Sequence, residues 1–280
     1  MKHSDEVGVR EALQRVEERL GEAGVESPRV EAELLLGHAV GLSRSGLAVD
    51  HARVLSAAEE DVLAELVARR CRREPLQYVL GEWGFRRLTL TVDRRALIPR
   101  PETEVVVGRA LALLAGREAP AVLDVGAGSG AIALAIADEH PGARVLGIDS
   151  SAAALSLARE NAERCGLDVE LELHDLFDGL PAGPWDLVVS NPPYVPLADR
   201  DGLAPEVRDW EPVAALHGAA ATEATARAAL AVLADGGVLV LEVGDGQAGD
   251  VVSLLRSLRY SDIRVTNDLA GRPRVVEGRR

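Results

Sequence analysis

Sulfur-containing and aromatic side chains are scarce in this chain of 280 residues, which has 2 cysteines, 1 methionine and 3% aromatic residues. Cys71 and Cys165 are too few and too far apart to suggest a disulfide framework or a metal cluster, so we expect two reduced thiols in an intracellular protein. The 6 histidines are scattered along the sequence and suggest no zinc or magnesium site.

Positive charge is also in deficit, because 31 basic side chains stand against 45 acidic ones and the net charge is −14. This balance lacks the whole-chain basic footprint of a protein that wraps nucleic acid, although it leaves room for a local basic patch. Hydrophobic residues make up 47% of the chain and charged residues 27%, a composition that excludes a disordered protein. The length favours two domains.

Long hydrophobic runs are missing as well. The most apolar segments, Val105 to Leu114 and Ala226 to Val243, are interrupted by charged side chains, and neither contains the roughly 18 uncharged residues that a membrane span needs. The segment from Met1 to Leu13 is charged and lacks the apolar core of a secretory signal. We therefore expect a soluble, cytoplasmic protein that does not bind membranes.

The first 75 residues show helical periodicity and no strand signal. Apolar residues recur at helical spacing, and residues typical of helix caps precede the second and third apolar stretches. Pro75 ends this region, because the residue before a proline avoids helical backbone. We predict a small helical-bundle domain over residues 1–75, with helices that begin near Val9, after Ser27 and after Ser56, the last of these with a Ser56–Glu59 capping box.

The rest of the chain indicates an α/β domain. Alternating residues between Tyr78 and Ile98 predict a β-hairpin, so residues 76–97 form the predicted linker, and strands then alternate with helices over residues 98–280. This order implies a mostly parallel sheet covered on both faces, with ligands at the carboxyl ends of its strands. The predicted strands cover residues 121–125, 144–148, 169–173, 186–190, 238–243, 263–266 and 274–277, and the helices between them 132–138, 152–165, 222–233 and 248–258.

A glycine-rich loop follows the first strand of this domain. Gly126, Gly128 and Gly130 permit a tight turn into the next helix and leave the backbone open to a ligand. The loop alone is weak evidence, because a turn without a ligand can use the same residues. Asp149 strengthens it, since it ends the next strand, where a carboxylate can accept both hydroxyls of a ribose. Together they predict an adenosine-containing cofactor without specifying which one.

The strand at 186–190 ends in Asn191-Pro192-Pro193-Tyr194. Two prolines cannot continue a β-ladder, so they predict a rigid, extended turn whose backbone carbonyls are unpaired. The Asn191 side-chain oxygen and the Pro192 carbonyl can each accept one N–H of a planar amino group and direct its delocalised lone pair at an electrophile. Tyr194 adds an aromatic face. A purely structural Pro-Pro turn is the alternative.

These motifs resemble those of the class I S-adenosylmethionine-dependent amino-methyltransferases, which include adenine-N6 nucleic-acid enzymes and glutamine-N5 protein enzymes. The segments Tyr78 to Gly81 and Ile98 to Glu104, with the helical N-terminal region, make the chain most similar to the release-factor glutamine methyltransferases, the PrmC/HemK family. The resemblance covers nearly the whole chain and implies a Rossmann-like sheet with an N-terminal helical bundle joined by a β-hairpin. One departure is His217 to Thr222, where the family usually has a Gly-Gly-x-Asp-Gly turn.

The resemblance implies S-adenosylmethionine as cofactor and methylation of the side-chain amide nitrogen, N5, of the glutamine in the Gly-Gly-Gln motif of class 1 peptide chain release factors. The cofactor site it implies comprises Gly126, Ala127, Gly128, Ser129, Gly130, Asp149, Leu176 and Asn191. The implied substrate site comprises Asn191, Pro192, Pro193 and Tyr194, with catalysis by Asn191, Pro192 and Tyr194. Residues 1–75 would recognise the release factor, and Arg100, Glu102 and Thr103 would help close the site. We expect a monomer that binds no nucleic acid.

Three alternatives stay open on the sequence. An adenine-N6 DNA or RNA methyltransferase would stack Tyr194 on a flipped base, and it predicts a basic groove and a target-recognition insertion, neither of which this acidic chain shows. A cofactor-sensing protein without activity would have a broken active site, whereas the Asn-Pro-Pro-Tyr motif is intact. The third alternative is an enzyme that methylates a glutamine in a different protein.

Overall fold

The computed structural model describes residues 7–280; Lys2, His3 and the start of the predicted helical domain lie outside the described residues. The chain divides into two compact units. The first takes in the described residues up to Gly81 together with Ala204–Trp210, and the second comprises Glu82–Leu203 and Glu211–Arg280.

The first unit is helical. The predicted apolar stripe of the first helix is confirmed, since Val9, Leu13, Val16 and Leu20 are all buried. Ser56 and Glu59 form the predicted capping box at the start of the fourth helix. Ser27 occupies the cap position of the second helix, but its side chain makes no capping hydrogen bond. The helices are α1 Val9–Glu22, α2 Pro28–Val40, α3 Arg44–Val49, α4 Ala57–Cys71 and α5 Leu76–Leu80.

A short segment from later in the chain completes this unit. Helix α9, Pro205–Arg208, carries Glu206, which accepts hydrogen bonds from Arg73 Nε at 2.7 Å and Nη2 at 2.9 Å. Arg70 Nη2 lies 2.8 Å from the same carboxylate, and its Nε donates to Glu31 at 2.5 Å. Because Arg70 is buried, these carboxylates are the partners that compensate its charge.

The second unit begins with the antiparallel hairpin of β1, Glu82–Phe85, and β2, Leu88–Thr91, in which Gly84 pairs with Thr89. Its seven-stranded sheet has the order β5-β4-β3-β6-β7-β9-β8. The first five strands in this order are parallel, and β9 and β8 join antiparallel. The strands are β3 Ala121–Val125, β4 Arg144–Asp149, β5 Glu170–Leu173, β6 Trp185–Ser190, β7 Leu233–Glu242, β8 Ser261–Asn267 and β9 Pro273–Arg279.

Alternate residues of the central strands enter two separate cores. Val122 and Val189 pack in the core with two helices, α6 Thr103–Leu114 and α7 Ala131–Glu139. Leu123 and Val188 pack in the core with two others, α11 Ala219–Val232 and α12 Ala248–Ser257. This period of two is what a sheet covered on both faces requires, so the predicted α/β class is confirmed. The helices of this unit are α6 Thr103–Leu114, α7 Ala131–Glu139, α8 Ala152–Cys165, α10 Val213–Leu216, α11 Ala219–Val232 and α12 Ala248–Ser257.

Some elements differ from the sequence-based expectation. Leu76–Leu80 is a helix, and the two hairpin strands lie between Glu82 and Thr91, so the hairpin occupies only the middle of the region 76–97. Strand β7 begins at Leu233, before the predicted residue 238, and its pairing with β6 is irregular near Trp185. The short helices α3, α5, α9 and α10 were not predicted. No helix in residues 7–280 is long and apolar enough to cross a membrane.

Candidate active site

The order of the strands in the sheet reverses direction at β3. It runs outward from β3 to β4 in one direction and from β3 to β6 in the other, and ligands of open α/β sheets bind at such a switch point. Val125 and Ser190, the last residues of β3 and β6, are direct partners, and Ser190 Oγ donates to the Val125 carbonyl at 2.7 Å. The glycine loop and the Asn191 turn therefore leave the sheet side by side, at the carboxyl ends of strands where the sequence predicts ligands to bind.

Backbone hydrogen bonds within the glycine loop and to the neighbouring strand β4 hold the loop in place. The amides of Gly126 and Ala127 both donate to the Ile148 carbonyl at 2.9 Å, and the Gly130 amide donates to the Ala127 carbonyl at 2.8 Å. Gly126 has φ +78°, and no atom lies within 4 Å of the position a Cβ would take there. An L side chain adopts such a φ only with strain, so glycine is needed, and its exposed face is open to a ligand.

Asp149 lies at the end of β4 with its carboxylate partly exposed. Its Oδ2 accepts the Gly128 amide at 2.9 Å, and its Oδ1 accepts the Ser151 amide at 2.8 Å. Each carboxylate oxygen can accept a second hydrogen bond, so both oxygens can still receive a hydroxyl. The orientation of this side chain is thus fixed before any ligand arrives.

Asp124 is a second carboxyl group beside the loop, to which the sequence analysis assigned no role. It is fully buried on β3, and its Oδ2 accepts the Ala133 amide at 3.1 Å. Its Oδ1 has no hydrogen-bond partner among the described residues. Burial, reinforced by the nearby charge of Asp149, raises the pKa of Asp124 to about 7 against the opposing Ala133 hydrogen bond.

The Asn191 side chain is held through a buried hydrogen-bond network. Asn191 Nδ2 donates to Thr103 Oγ1 at 3.2 Å, and Thr103 Oγ1 donates to Glu242 Oε2 at 2.7 Å. The other carboxylate oxygen of Glu242, Oε1, accepts the Tyr194 hydroxyl at 3.2 Å. Three segments that are distant in sequence thus meet: the start of α6, the turn after β6 and the end of β7.

The backbone of the turn is held from both sides. Gln247 Nε2 donates to the Tyr194 carbonyl at 2.9 Å, and the Val195 amide donates to the Leu216 carbonyl at 3.0 Å. A Cβ on Gly218 would lie 2.7 Å from Pro193 Cγ, so the altered segment His217 to Thr222 packs directly on the turn. No hydrogen bond within residues 7–280 occupies Asn191 Oδ1 or the Pro192 carbonyl. These are the two acceptors that the sequence suggested.

The electrostatics of the network favour neutral hydroxyls around a buried carboxyl. Burial and the neighbouring Glu242 raise the pKa of the Tyr194 phenol well above its usual range, so this phenol stays protonated. Burial also raises the pKa of Glu242, while the hydrogen bonds from Thr103 and Tyr194 act in the opposite direction. The Tyr194 hydroxyl is therefore committed as a donor to Glu242 rather than free to take a proton.

The remaining predicted residues lie around this centre. Arg100 forms an ion pair with Glu211, whose buried carboxyl has a pKa raised by burial. Glu102 lies 3.7 Å from Arg272 near the surface. Leu176, in the turn after β5, packs against the core that contains Val125. No group of three or more His, Cys, Asp or Glu in the described part of the chain could hold a metal ion.

Comparisons with known proteins identify the family of this chain. Residues 11–81 match the family described as PrmC N-terminal domain, and residues 109–204 match the one described as Methyltransferase small domain. The release factor glutamine methyltransferase of Geobacter sulfurreducens is 44% identical over 278 residues, which cover 97% of this chain and 96% of the relative. The relative of the same name in Deinococcus radiodurans is 42% identical, with 97% and 98% covered.

A solved structure shares the fold. A 16S rRNA methyltransferase of T. thermophilus, in complex with AdoMet and guanosine, superimposes with a TM-score of 0.51 over 71% of this chain and 49% of its own, at 20% identity. The fold, the glycine loop and the methyltransferase match define a class I S-adenosylmethionine-dependent methyltransferase. Within that class, the chain belongs to the release factor glutamine methyltransferase family.

Proposed function

We propose that this enzyme transfers a methyl group to the side-chain amide nitrogen, N5, of the glutamine in the Gly-Gly-Gln motif of class 1 release factors. The observation that carries the proposal is the pair of unoccupied acceptors, Asn191 Oδ1 and the Pro192 carbonyl, beside the open glycine loop. Sequence identity of 38 to 44% with proteins named release factor glutamine methyltransferase supports the same substrate.

The two acceptors have a definite chemical task. The lone pair of an amide nitrogen is delocalised, and it becomes available for attack when each N–H is held by an acceptor and the amide is oriented. We assign these two positions to Asn191 Oδ1 and the Pro192 carbonyl, with Pro193 and Tyr194 completing the wall of the glutamine site. Glutamate would be rejected, because its carboxylate brings lone pairs where N–H groups are needed. Positioning then supplies most of the acceleration, and no strong base is needed before transfer.

The residues around the glycine loop fit S-adenosylmethionine. When bound, this cofactor supplies an electrophilic methyl carbon on a positively charged sulfur. The open face of Gly126 accommodates a ligand against the backbone, and Asp149 has free lone pairs for the ribose. We assign cofactor binding to Gly126, Ala127, Gly128, Ser129, Gly130, Asp149, Leu176 and Asn191.

The protein partner is assigned to the helical unit. We propose that residues 1–75 contribute recognition of the release factor, and that the enzyme acts as a cytoplasmic monomer. A match to the PrmC N-terminal domain over residues 11–81 supports a role specific to this family. The alternative of adenine-N6 methylation is not favoured, since the relatives are named for protein methylation and the net charge of −14 repels nucleic acid.

Labelled S-adenosylmethionine tests the proposal directly. The wild-type enzyme should label a purified release factor but not a variant whose motif glutamine is replaced, and it should label neither DNA nor RNA. The substitution Asn191→Ala should lower turnover about 100-fold at saturating cofactor, because the amide is no longer oriented. Asn267→Ala, at an exposed position on β8, is the matched control and should behave as wild type. Label on nucleic acid without label on the release factor would overturn the assignment.

A further inference from the structure

Thr103 and Glu242 connect to Asn191 only through its amide nitrogen, Nδ2. They make no hydrogen bond to the two acceptors, Asn191 Oδ1 and the Pro192 carbonyl. Both side chains are buried, Thr103 with 4% and Glu242 with 1% of its surface exposed. Burial of a carboxyl group costs free energy unless hydrogen bonds or charges in the protein offset its lost hydration. Its presence at the end of an apolar strand calls for an explanation beyond packing.

The single proton of the Thr103 hydroxyl sets the direction of both hydrogen bonds that this group makes. Thr103 has a single hydroxyl proton, and the 2.7 Å hydrogen bond to Glu242 Oε2 uses it. Thr103 Oγ1 can then act toward Asn191 only as an acceptor. The group facing it at 3.2 Å must therefore be the amide nitrogen, Nδ2, and not the amide oxygen.

The same count applies to the other half of the network. The Tyr194 hydroxyl also has one proton and gives it to Glu242 Oε1 at 3.2 Å. The carboxylate thus accepts from both hydroxyls and fixes the direction of every hydrogen bond up to Asn191. Reversal of the Asn191 carboxamide would place its oxygen against a hydroxyl oxygen whose proton is already committed.

We propose that Thr103 and Glu242 are positioning residues that determine which end of the Asn191 carboxamide faces the substrate. By holding Nδ2 inward they present Oδ1 outward, as the acceptor that selects an amide over a carboxylate. This inference rests on the proposed function, because it concerns the same methyl acceptor. It assigns the selectivity of the site to a hydroxyl and a carboxyl group that do not touch the substrate.

Substitutions at Thr103 separate positioning from packing. Thr103→Val keeps the shape and removes the hydroxyl, so the carboxamide can rotate; we expect kcat to fall at least about tenfold. Thr103→Ser restores the hydroxyl and should recover most of the lost turnover. Thr225→Val is the matched control, because Thr225 is fully buried on α11 and its hydroxyl has no partner among the described residues. The control should leave kcat unchanged.

Two further measurements exclude a structural explanation. The Kd for S-adenosylmethionine should change little in Thr103→Val compared with Thr225→Val. The melting temperature of Thr103→Val should fall, because the buried Glu242 carboxyl loses a donor, so kcat is measured well below the melting temperature of every variant. In a double-mutant cycle measured by single turnover, Thr103→Val should add almost nothing once Asn191 is already alanine, since it acts through that residue. Glu242→Gln, which cannot accept from both hydroxyls, should resemble Thr103→Val in kcat.

The outcomes are distinguishable. If wild-type enzyme does not label the release factor, the proposed function fails. If wild type is active and Thr103→Val matches Thr225→Val in kcat, or if its effect is fully additive with Asn191→Ala, the positioning role is overturned while the function stands.

Discussion

Asn161 and Thr91 exchange two hydrogen bonds: the Thr91 amide donates to Asn161 Oδ1 at 2.7 Å, and Asn161 Nδ2 donates to the Thr91 carbonyl at 3.1 Å. The second proton of the same nitrogen goes to the Ser129 carbonyl at 3.0 Å. A fully buried side chain on α8 thus ties the glycine loop to strand β2. The shape of the glycine loop therefore depends on a residue that lies outside the loop, on α8.

Replacement of Asn161 by alanine should therefore weaken both the fold and the cofactor site. It leaves one backbone amide and two carbonyls without partners, so we expect the free energy of unfolding to fall by about 2–4 kcal/mol. The Kd for S-adenosylmethionine should rise, as measured by calorimetry below the unfolding temperature. Ser156→Ala, at an exposed position of the same helix, should change stability by less than about 0.5 kcal/mol. An unchanged Kd in Asn161→Ala would show that the loop holds its shape unaided.

Gly126 and Gly166 provide a test of the open face of the loop. Both have positive φ, +78° and +65°, and at both a Cβ would meet no atom within 4 Å. Alanine at either position should lower stability by about 1 kcal/mol through backbone strain alone. Only Gly126→Ala should also weaken cofactor binding, because its methyl group occupies the space against which the ligand lies. Equal Kd values for the two variants would place the cofactor elsewhere.

The raised pKa of Asp124 predicts a pH-dependent stability. In the folded protein the pKa is about 7, whereas its ordinary value is 3.8, so the folded state binds this proton more tightly. The resulting stabilisation is fully present below the ordinary pKa and is lost as the pH rises through about 7, with a slope of at most about 1.4 kcal/mol per pH unit. Asp124→Asn keeps an acceptor for the Ala133 amide and removes the titration.

Urea unfolding of the cofactor-free protein between about pH 5 and pH 8 measures this effect. The stability of wild type relative to Asp124→Asn should fall as the pH rises. Glu211 and Glu242 also have raised pKa values, but they are present in both proteins and cancel in the difference. A difference that stays constant or grows with pH contradicts the prediction.

The pair formed by Arg100 and Glu211 should show strong coupling. The Glu211 side chain is almost fully buried, while the Arg100 side chain keeps 30% of its surface exposed. Arg100→Met leaves a buried carboxyl without its cation, and we expect a loss of about 1–3 kcal/mol, below the value for a fully buried pair. Adding Glu211→Gln should restore part of this loss, because a neutral amide is cheaper to bury. Unfolding of the two single variants and the double variant measures the coupling; additivity would argue against the pair.

Sequence periodicity predicted the long elements and placed both site motifs at the carboxyl ends of strands, which a parallel sheet brings to one edge. The direct pairing of β3 with β6, which sets the Gly126 loop beside Asn191, depends on a strand order that periodicity does not give. The short helices were missed because four to six residues do not complete a periodic pattern. The start of β7 was missed because Asp235-Gly236-Gly237 resembles a turn, although it continues a strand with irregular pairing.

The role of Glu242 could not be predicted in the same way. Its importance arises from the pairing of Ser190 with Leu241, which sets it beside the end of β6. It also needs a hydroxyl from Thr103, which lies 139 positions earlier in the sequence. The sequence shows only that Glu242 follows a run of four apolar residues at the end of β7. The strand register and the placement of α6 determine which side chains hydrogen-bond to it.

The discontinuity of the helical unit has a consequence for protein engineering. Since Ala204–Trp210 belongs to that unit, a single cut after Gly81 yields a fragment in which Glu206 has lost Arg70 and Arg73. A change in activity of such a fragment would not report on the missing residues alone, because Ala204–Trp210 would also have lost its packing partners. A chimaera that exchanges the helical unit between two members of the family should therefore transplant both segments together, with Glu206 and its two arginines taken from the same parent.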